Sequence, residues 1–198
     1  NLAAMFLRQC GYDGVEPVVD PMCGSGTFLI EAAEIASHLQ PGRSRDFAFQ
    51  KLASYDAEAF DTLRTAMPDI TGPARFFGSD RDQGAIRMST QNAARAGVEP
   101  LCQFDVHGAG EVTPPEGPPG LVIVNPPYGA RIGNKNLLYP LYGTLGETLK
   151  TRFKGWRVGL VTSEPGLAKA CGLPWKPQEA PVAHGGLKIW LWRTDPLR

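Results

Sequence analysis

The chain lacks several things at once. Its four cysteines, Cys10, Cys23, Cys102 and Cys171, lie far apart with no paired spacing. Neither a zinc knuckle nor a disulfide framework can be read from them, and no metal site is implied. Such cysteine usage fits a reduced, cytoplasmic setting. There is no signal peptide and no long apolar span, so nothing supports export or membrane insertion. Charge of one sign is missing too: 20 Lys and Arg balance 20 Asp and Glu, so no global field draws the molecule to nucleic acid. What remains, over 198 residues, suits one domain (residues 1–198) with a sizeable core. The chain starts at Asn1, in sequence that is already helix-like, and is expected to be a fragment of a longer protein.

The most informative stretch that is present is Asn125-Pro126-Pro127-Tyr128. It follows Leu121-Val122-Ile123-Val124, a run without polar alternation that reads as a strand buried on both faces of a parallel sheet. The prolines stop that strand, because they lack an N–H and fix φ. Asn125 and Tyr128 are then held on a stiff turn at the strand's carboxyl end, where open α/β sheets bind ligands. The turn has a chemical use. The exocyclic amine of a nucleobase is a poor nucleophile, since its lone pair is delocalised into the ring. The Asn125 side-chain oxygen and the Pro126 carbonyl can accept both amine hydrogens and hold the nitrogen closer to tetrahedral. Tyr128 offers a flat face for an extruded base. The competing reading is a plain Pro-rich turn with Tyr128 covering the core.

A second stretch, Asp20-Pro21-Met22-Cys23-Gly24-Ser25-Gly26-Thr27, sits between Val18-Val19, the end of a first strand, and an Ala-rich helix to Leu39. Strand, glycine-rich turn and helix together bring a ligand close to backbone N–H groups. A dinucleotide fingerprint fails here, because its third glycine is replaced by Leu29 and no acid-ended strand follows about twenty residues on. A phosphate loop is excluded by the absence of Gly-Lys-Ser/Thr. Asp20 suits the ammonium of a methionine moiety better than a pyrophosphate. The next strand, Arg75 to Asp80, ends in a carboxylate whose two oxygens can accept both hydroxyls of a ribose. Asp80 is preferred for that role over Asp82, which can cap the helix Gln83 to Ala96 closed by Gly97. Asn92 on that helix receives no role.

The rest of the chain is read more briefly. Leu2 to Cys10 forms a helix closed by Gly11. Residues 41–73 are an irregular insertion, with Phe47, Phe49, Leu52 and Tyr55 on one short helix and Phe60, Leu63 and Met67 on another. Leu101 to Val106 is a third strand, and His107 to Gly120 a Pro/Gly-rich linker. Leu137 to Phe153 is a helix and Trp156 to Thr162 a fifth strand. Pro181-Val182 and Leu187 to Trp192 flank His184-Gly185-Gly186 as a β-hairpin. Between Arg131 and Arg157 the bases Arg131, Lys135, Lys150, Arg152, Lys154 and Arg157 face Glu147 alone. Both a solvated face and a phosphate-contacting patch fit this run.

Together the Asn125 and Asp20 motifs resemble those of amino-group methyltransferases that use S-adenosylmethionine. Within that superfamily the chain resembles the bacterial RNA guanine-N2 methyltransferases, often loosely labelled adenine-specific DNA methylases. The resemblance runs from Leu2 to about Trp192. It implies an α/β class I fold, a mostly parallel seven-stranded sheet with an antiparallel C-terminal hairpin and helices on both faces. It implies that the run Asp20, Pro21, Cys23, Gly24, Ser25 and Gly26 holds the methionine and ribose end of the cofactor. Asp105 would accept from the adenine amine, an ordinary surface Asp being the alternative. The implied substrate is guanine N2 in 23S ribosomal RNA, with an RNA-binding THUMP domain upstream; within the basic run, Arg131, Lys135 and Lys154 are the candidate RNA contacts. Where the family carries Glu after Asn-Pro-Pro-Tyr-Gly, this chain has Ala130. An adenine-N6 DNA or RNA methyltransferase, and a non-catalytic binding module, are the alternatives.

Overall fold

Val18–Asp20 and Leu121–Val124 are buried at every position and pair in parallel, Val18 with Leu121 and Val19 with Val122. Apart from Asp20 at the end of the first, both are apolar throughout, because helices cover both of their faces. The computed structural model describes residues 1–65, 75–128 and 138–198. In chain order its elements are α1 (Leu2–Gln9), β1 (Val18–Asp20), α2 (Thr27–Ala36), α3 (Ala57–Thr65), β2 (Phe76–Asp80), α4 (Gln83–Ala96), β3 (Cys102–Val106), β4 (Leu121–Val124), α5 (Leu138–Arg152), β5 (Arg157–Thr162), α6 (Pro165–Ala170), β6 (Val182–His184) and β7 (Leu187–Arg193).

The seven strands form one sheet in the order β3-β2-β1-β4-β5-β7-β6. β1 to β5 run parallel to one another, and β7 is antiparallel to both β5 and β6. The chain winds outward from β1 to β3, then returns to the centre and winds the other way from β4. Its direction reverses between β1 and β4, the place where open α/β sheets leave a crevice for ligands. Asp20 and Asn125 stand at the carboxyl ends of those two strands.

Side-chain alternation builds two cores. Val18, Phe76, Leu121, Ile123 and Val161 point to one face and meet Phe6 and Leu7 of α1, Leu29 and Ala33 of α2, and Ile86 and Ala93 of α4. Val19, Val122, Val124, Val158 and Leu160 point to the other and meet Tyr142, Leu145 and Leu149 of α5 and Leu167 of α6. α4 is bounded as its sequence suggests, with Asp82 accepting from the Gly84 N–H at 2.7 Å and Gly97 left-handed at φ 73°.

Some expectations need adjusting. The Ala-rich helix stops at Ala36, short of Leu39. In the insertion, the helix around Phe47 shrinks to a single 3-10 turn, Ala48–Lys51. The rings of Phe47, Phe49, Tyr55 and Phe60 nevertheless cluster, with centroids 5.2 to 6.1 Å apart. Met67 lies outside the described residues. α6 was not anticipated, since its 6 residues are too short to show a helical period.

Candidate functional site

The Asp20 to Thr27 turn is held at successive residues by its neighbours. Asp20 Oδ1 accepts the Met22 N–H at 3.1 Å. The Cys23 N–H donates to the Ser79 carbonyl at 2.9 Å. The Gly24 N–H donates to Asp80 Oδ2 at 3.1 Å. The Ser25 carbonyl accepts from the Asn92 amide at 2.9 Å, and Arg95 in turn donates to Asn92 Oδ1 at 2.8 Å, which orients that amide. Asn92, given no role from sequence, is thus part of the support. The signal available was an Asn in a helix interior, where its side chain competes with the backbone unless it has a partner.

Two glycines carry the turn's shape. Gly24 and Gly26 are left-handed, at φ 52° and 81°. A Cβ on Gly26 would come within 3.0 Å of Ser89 Cβ, whereas a Cβ on Gly24 would meet no atom within 4 Å. Gly24 therefore borders open space, and Gly26 is pressed against α4. α2 starts directly after Gly26 with no side-chain cap among the described residues, leaving its first N–H groups to an outside acceptor.

Electrostatics mark the same place. Asp20 is 2% exposed, and its carboxyl is pushed up to about 8. Burial is the main cause; the Met22 hydrogen bond opposes it and the Asp80 charge adds to it. No cation among the described residues offsets it. Asp80 has its carboxylate aimed by two backbone groups, since Oδ1 accepts the Asp82 N–H at 3.0 Å while Oδ2 accepts Gly24. Burial, with Asp20 and Asp80 nearby, keeps the Cys23 thiol protonated, a packing group and not a nucleophile.

The Asn125 turn stands at the end of the neighbouring strand, β4. Asn125 and Pro127 are exposed, Pro126 is buried and Tyr128 is half-buried, its phenol raised by burial. Asp20, Cys23, Gly24, Ser25, Thr27, Asn125 and Tyr128 all line a single cavity of about 480 Å³, closed on one side by Phe6 of α1 and reached by His184 of β6. His184 is a site-lining residue that sequence reasoning passed over as part of a hairpin turn. The structure thus brings the two motifs, a hundred residues apart in sequence, to one space.

The other expected site residues are placed less uniformly. Asp105 lies near the end of β3, with Oδ2 accepting from Gln103 at 2.8 Å, and lines a second cavity of about 550 Å³ that neither Asp20 nor Asn125 lines. Ser79 borders that cavity, and its buried hydroxyl has no hydrogen-bond partner among the described residues. Arg131 and Lys135 lie outside the described residues. Lys154 is exposed in the turn between α5 and β5, at the amino ends of the strands, so it sits on the opposite edge of the sheet from Asn125. Arg152 donates to the Val112 carbonyl, and Arg157 pairs with Glu16. The basic run is therefore not one patch beside the cavity: α5 carries its later members away from the crevice. No three His, Cys, Asp or Glu side chains gather as a metal-binding group among the described residues.

A buried carboxylate and an uncapped helix N-terminus on one cavity complement the ammonium and carboxylate of an α-amino acid. Comparisons with known proteins bear on what that ligand belongs to. The family described as UPF0020: RMKL-like, methyltransferase domain, matches residues 1–189. The chain is similar to ribosomal RNA large subunit methyltransferase K/L of Chromohalobacter salexigens, 39% identical over 186 residues, covering 87% of this chain and 25% of that protein. It is similar in structure to a possible methylase from Clostridium difficile 630, with TM-score 0.88 and 30% identity, covering 100% of this chain and 52% of that one. It is also similar to SMU.472, solved in complex with SAH, with TM-score 0.87 and 29% identity, covering 100% of this chain and 52% of that one. The chain thus spans about a quarter of the length of the curated relative.

Proposed function

Since the chain belongs to the UPF0020 family of RMKL-like methyltransferase domains, we propose that it transfers a methyl group from S-adenosylmethionine to an exocyclic amine of an RNA base, guanine N2 of large-subunit ribosomal RNA in the first place. The observation that carries the reading is the shared cavity, lined by Asp20 and the glycine turn together with Asn125 and Tyr128. The relative acting on ribosomal RNA favours RNA over DNA, and the neighbour holding SAH favours this cofactor.

The chain's own residues fit that cofactor. Asp20 would take its ammonium, and the start of α2 its carboxylate. Gly24 leaves room for close approach of the ligand to the backbone. Asp80 would take the ribose hydroxyls with the acceptor capacity that its two backbone bonds leave over. Asp105 would take the adenine amine, the ligand reaching past Asp80 into the second cavity, which Ser79 and Asp105 line. When bound, the cofactor supplies a methyl group on a positively charged sulfur. Asn125 Oδ1 and the Pro126 carbonyl would hold the target amine with its lone pair aimed at that carbon, while Tyr128 stacks on the base. The nitrogen so held would become positive on accepting the methyl group and would give up its proton to water. Positioning and the two acceptors would provide the catalysis.

Substrate grip is a separate matter. With Lys154 on the far edge and no net charge, this domain holds few phosphates, and we infer that an RNA-binding module of the THUMP type elsewhere in the full protein supplies the rest. The test is nucleoside mass spectrometry of ribosomal RNA treated with the chain and cofactor, alone and joined to such a module. N2-methylguanosine, formed poorly by the chain alone and well by the fusion, is the expected product. N6-methyladenosine, or efficient methylation of duplex DNA, would replace the guanine reading with its adenine rival. Cofactor binding with no product from either form would leave a binding module.

A further inference from the structure

An amine-holding turn has to be stiff in every part, yet Pro126 and Pro127 have no N–H with which to tie it to the body of the domain. The proline rings fix φ within the turn but do not set how its last peptide plane is rotated. We infer that Tyr142 of α5 is the positioning residue that sets it: its hydroxyl donates to the Pro127 carbonyl, fixing the peptide from which Tyr128 projects. The inference rests on the reading of that turn as the amine-holding part of the site.

The geometry is specific. Tyr142 is 0% exposed, as is Thr162 at the end of β5. The Tyr142 hydroxyl lies 3.2 Å from the Pro127 carbonyl and 3.5 Å from Thr162 Oγ1. Thr162 Oγ1 also accepts the Glu164 N–H at 3.1 Å. One phenolic proton cannot serve two acceptors, and a carbonyl can only accept. The Tyr142 proton therefore goes to Pro127, and the Thr162 proton goes to Tyr142. The result is a directed chain: the Glu164 N–H to Thr162, Thr162 to Tyr142, Tyr142 to Pro127.

Two features make this chain a positioning device and not incidental packing. Both hydroxyls are fully buried, so an unmade link leaves an orphan with no water to replace it, and one arrangement is strongly preferred. The buried phenol ring also belongs to the core cluster that holds Leu138, Leu145 and Val124, so its oxygen has a fixed position from which to act. Burial raises the Tyr142 phenol far above its usual range, so it remains a proton donor at every working pH. In effect, the end of β5 and the middle of α5 set the tilt of Tyr128, which comes fourteen residues earlier in the chain than Tyr142.

Tyr142→Phe tests this while keeping the ring and the fold. Spectra of the protein with 13C-labelled tyrosine report on Tyr128 independently of activity, since the chain has only five tyrosines. In Tyr142→Phe the Tyr128 signals should shift and broaden while those of Tyr12 and Tyr55 stay in place. Turnover on ribosomal RNA should fall about tenfold with cofactor Kd within about twofold of the parent, a small misplacement being felt in kcat. Thr162→Val should do the same more weakly, and Thr162→Ser should match the parent. Unchanged Tyr128 signals would overturn the assignment, as would a loss of cofactor affinity in step with kcat. Shifted Tyr128 signals in a chain whose parent methylates nothing would keep Tyr142 as the support of the turn and remove the functional reading of the turn itself.

Discussion

The two turns of the site stand on adjacent strands and are built on opposite plans. The Asp20 to Thr27 turn has little stiffness of its own: its glycines allow left-handed φ values, and β2 and α4 hold it at Cys23, Gly24, Ser25 and Gly26. The Asn125 to Tyr128 turn is stiffened from within by its two prolines and is tied to α5 through the Pro127 carbonyl. The difference fits what each turn is proposed to present. A cofactor cradle offers backbone N–H groups and open space, so its residues must be small and its shape must come from neighbours. An amine-holding turn offers a side-chain oxygen and a carbonyl of its own, so its rigidity can be written into the residues themselves.

If that contrast is right, damage to the second turn should touch chemistry and spare binding. Asn125→Ala should show this most strongly: methyl transfer falling about 100- to 1000-fold, on the scale of losing one donor or acceptor that acts in the transition state, with cofactor affinity by calorimetry within about twofold. Loss of both together would erase the distinction.

Damage to the first turn should do the reverse. Asp80→Ala removes the proposed ribose acceptor and the anchor of the Gly24 N–H at once. Cofactor binding should weaken by about 2 to 4 kcal/mol, roughly 30- to 1000-fold, because charge-assisted hydrogen bonds are lost. At saturating cofactor, kcat should be largely retained. An Asp80→Ala protein that binds like the parent would refute the ribose assignment.

Asn92→Ala sharpens the comparison, since this side chain is part of the scaffold and does not line the cavity. About 1 kcal/mol of support is removed, so the KM for cofactor should rise about fivefold while kcat holds. A fall in melting temperature with an unmoved KM would mean that Asn92 serves folding and not the turn.

The smallest effect concerns the Asp20 proton. Its carboxyl sits near 8 in the folded protein against 3.8 ordinarily, so between those values the folded state holds a proton that the unfolded state has lost. Stability of the cofactor-free protein should therefore fall as pH rises through this window and level off above it. Asp20→Asn should melt a few degrees above the parent at pH 9 and level with it near pH 4, by scanning fluorimetry. Because pairing with an ammonium favours the ionised form, cofactor binding at pH 7 should release close to one proton. Titration calorimetry in buffers of different ionisation enthalpy would read it, and zero release would remove Asp20 from the ammonium.

Much of this was legible from residue order. The run Leu121 to Val124 gave away a strand covered on both sides, and Asp82 and Gly97 bounded α4 to the residue. The turn chemistry of both motifs is local, so it was readable without knowing the fold. By contrast, α6 was invisible because 6 residues hold less than two turns, and the basic run left two readings open because spacing along a chain does not say which end of a sheet it reaches. Asn92 and Tyr142 look like an ordinary helix residue and a core aromatic until the atoms opposite them are known.

The sequence by itself determined the two motifs, the order of the strands and of the longer helices, and the local chemistry of each turn, because these depend on φ, on missing N–H groups and on side-chain chemistry within a few residues. The tertiary structure alone decided that the motifs share one cavity, that Asp20 is buried enough to hold its proton, that Asn92 and Tyr142 brace the turns, and that Lys154 faces away. Those depend on which distant groups come within about 3 Å of one another and on how far water is excluded, and strand alternation and crossover connections set both only when the whole sheet is assembled.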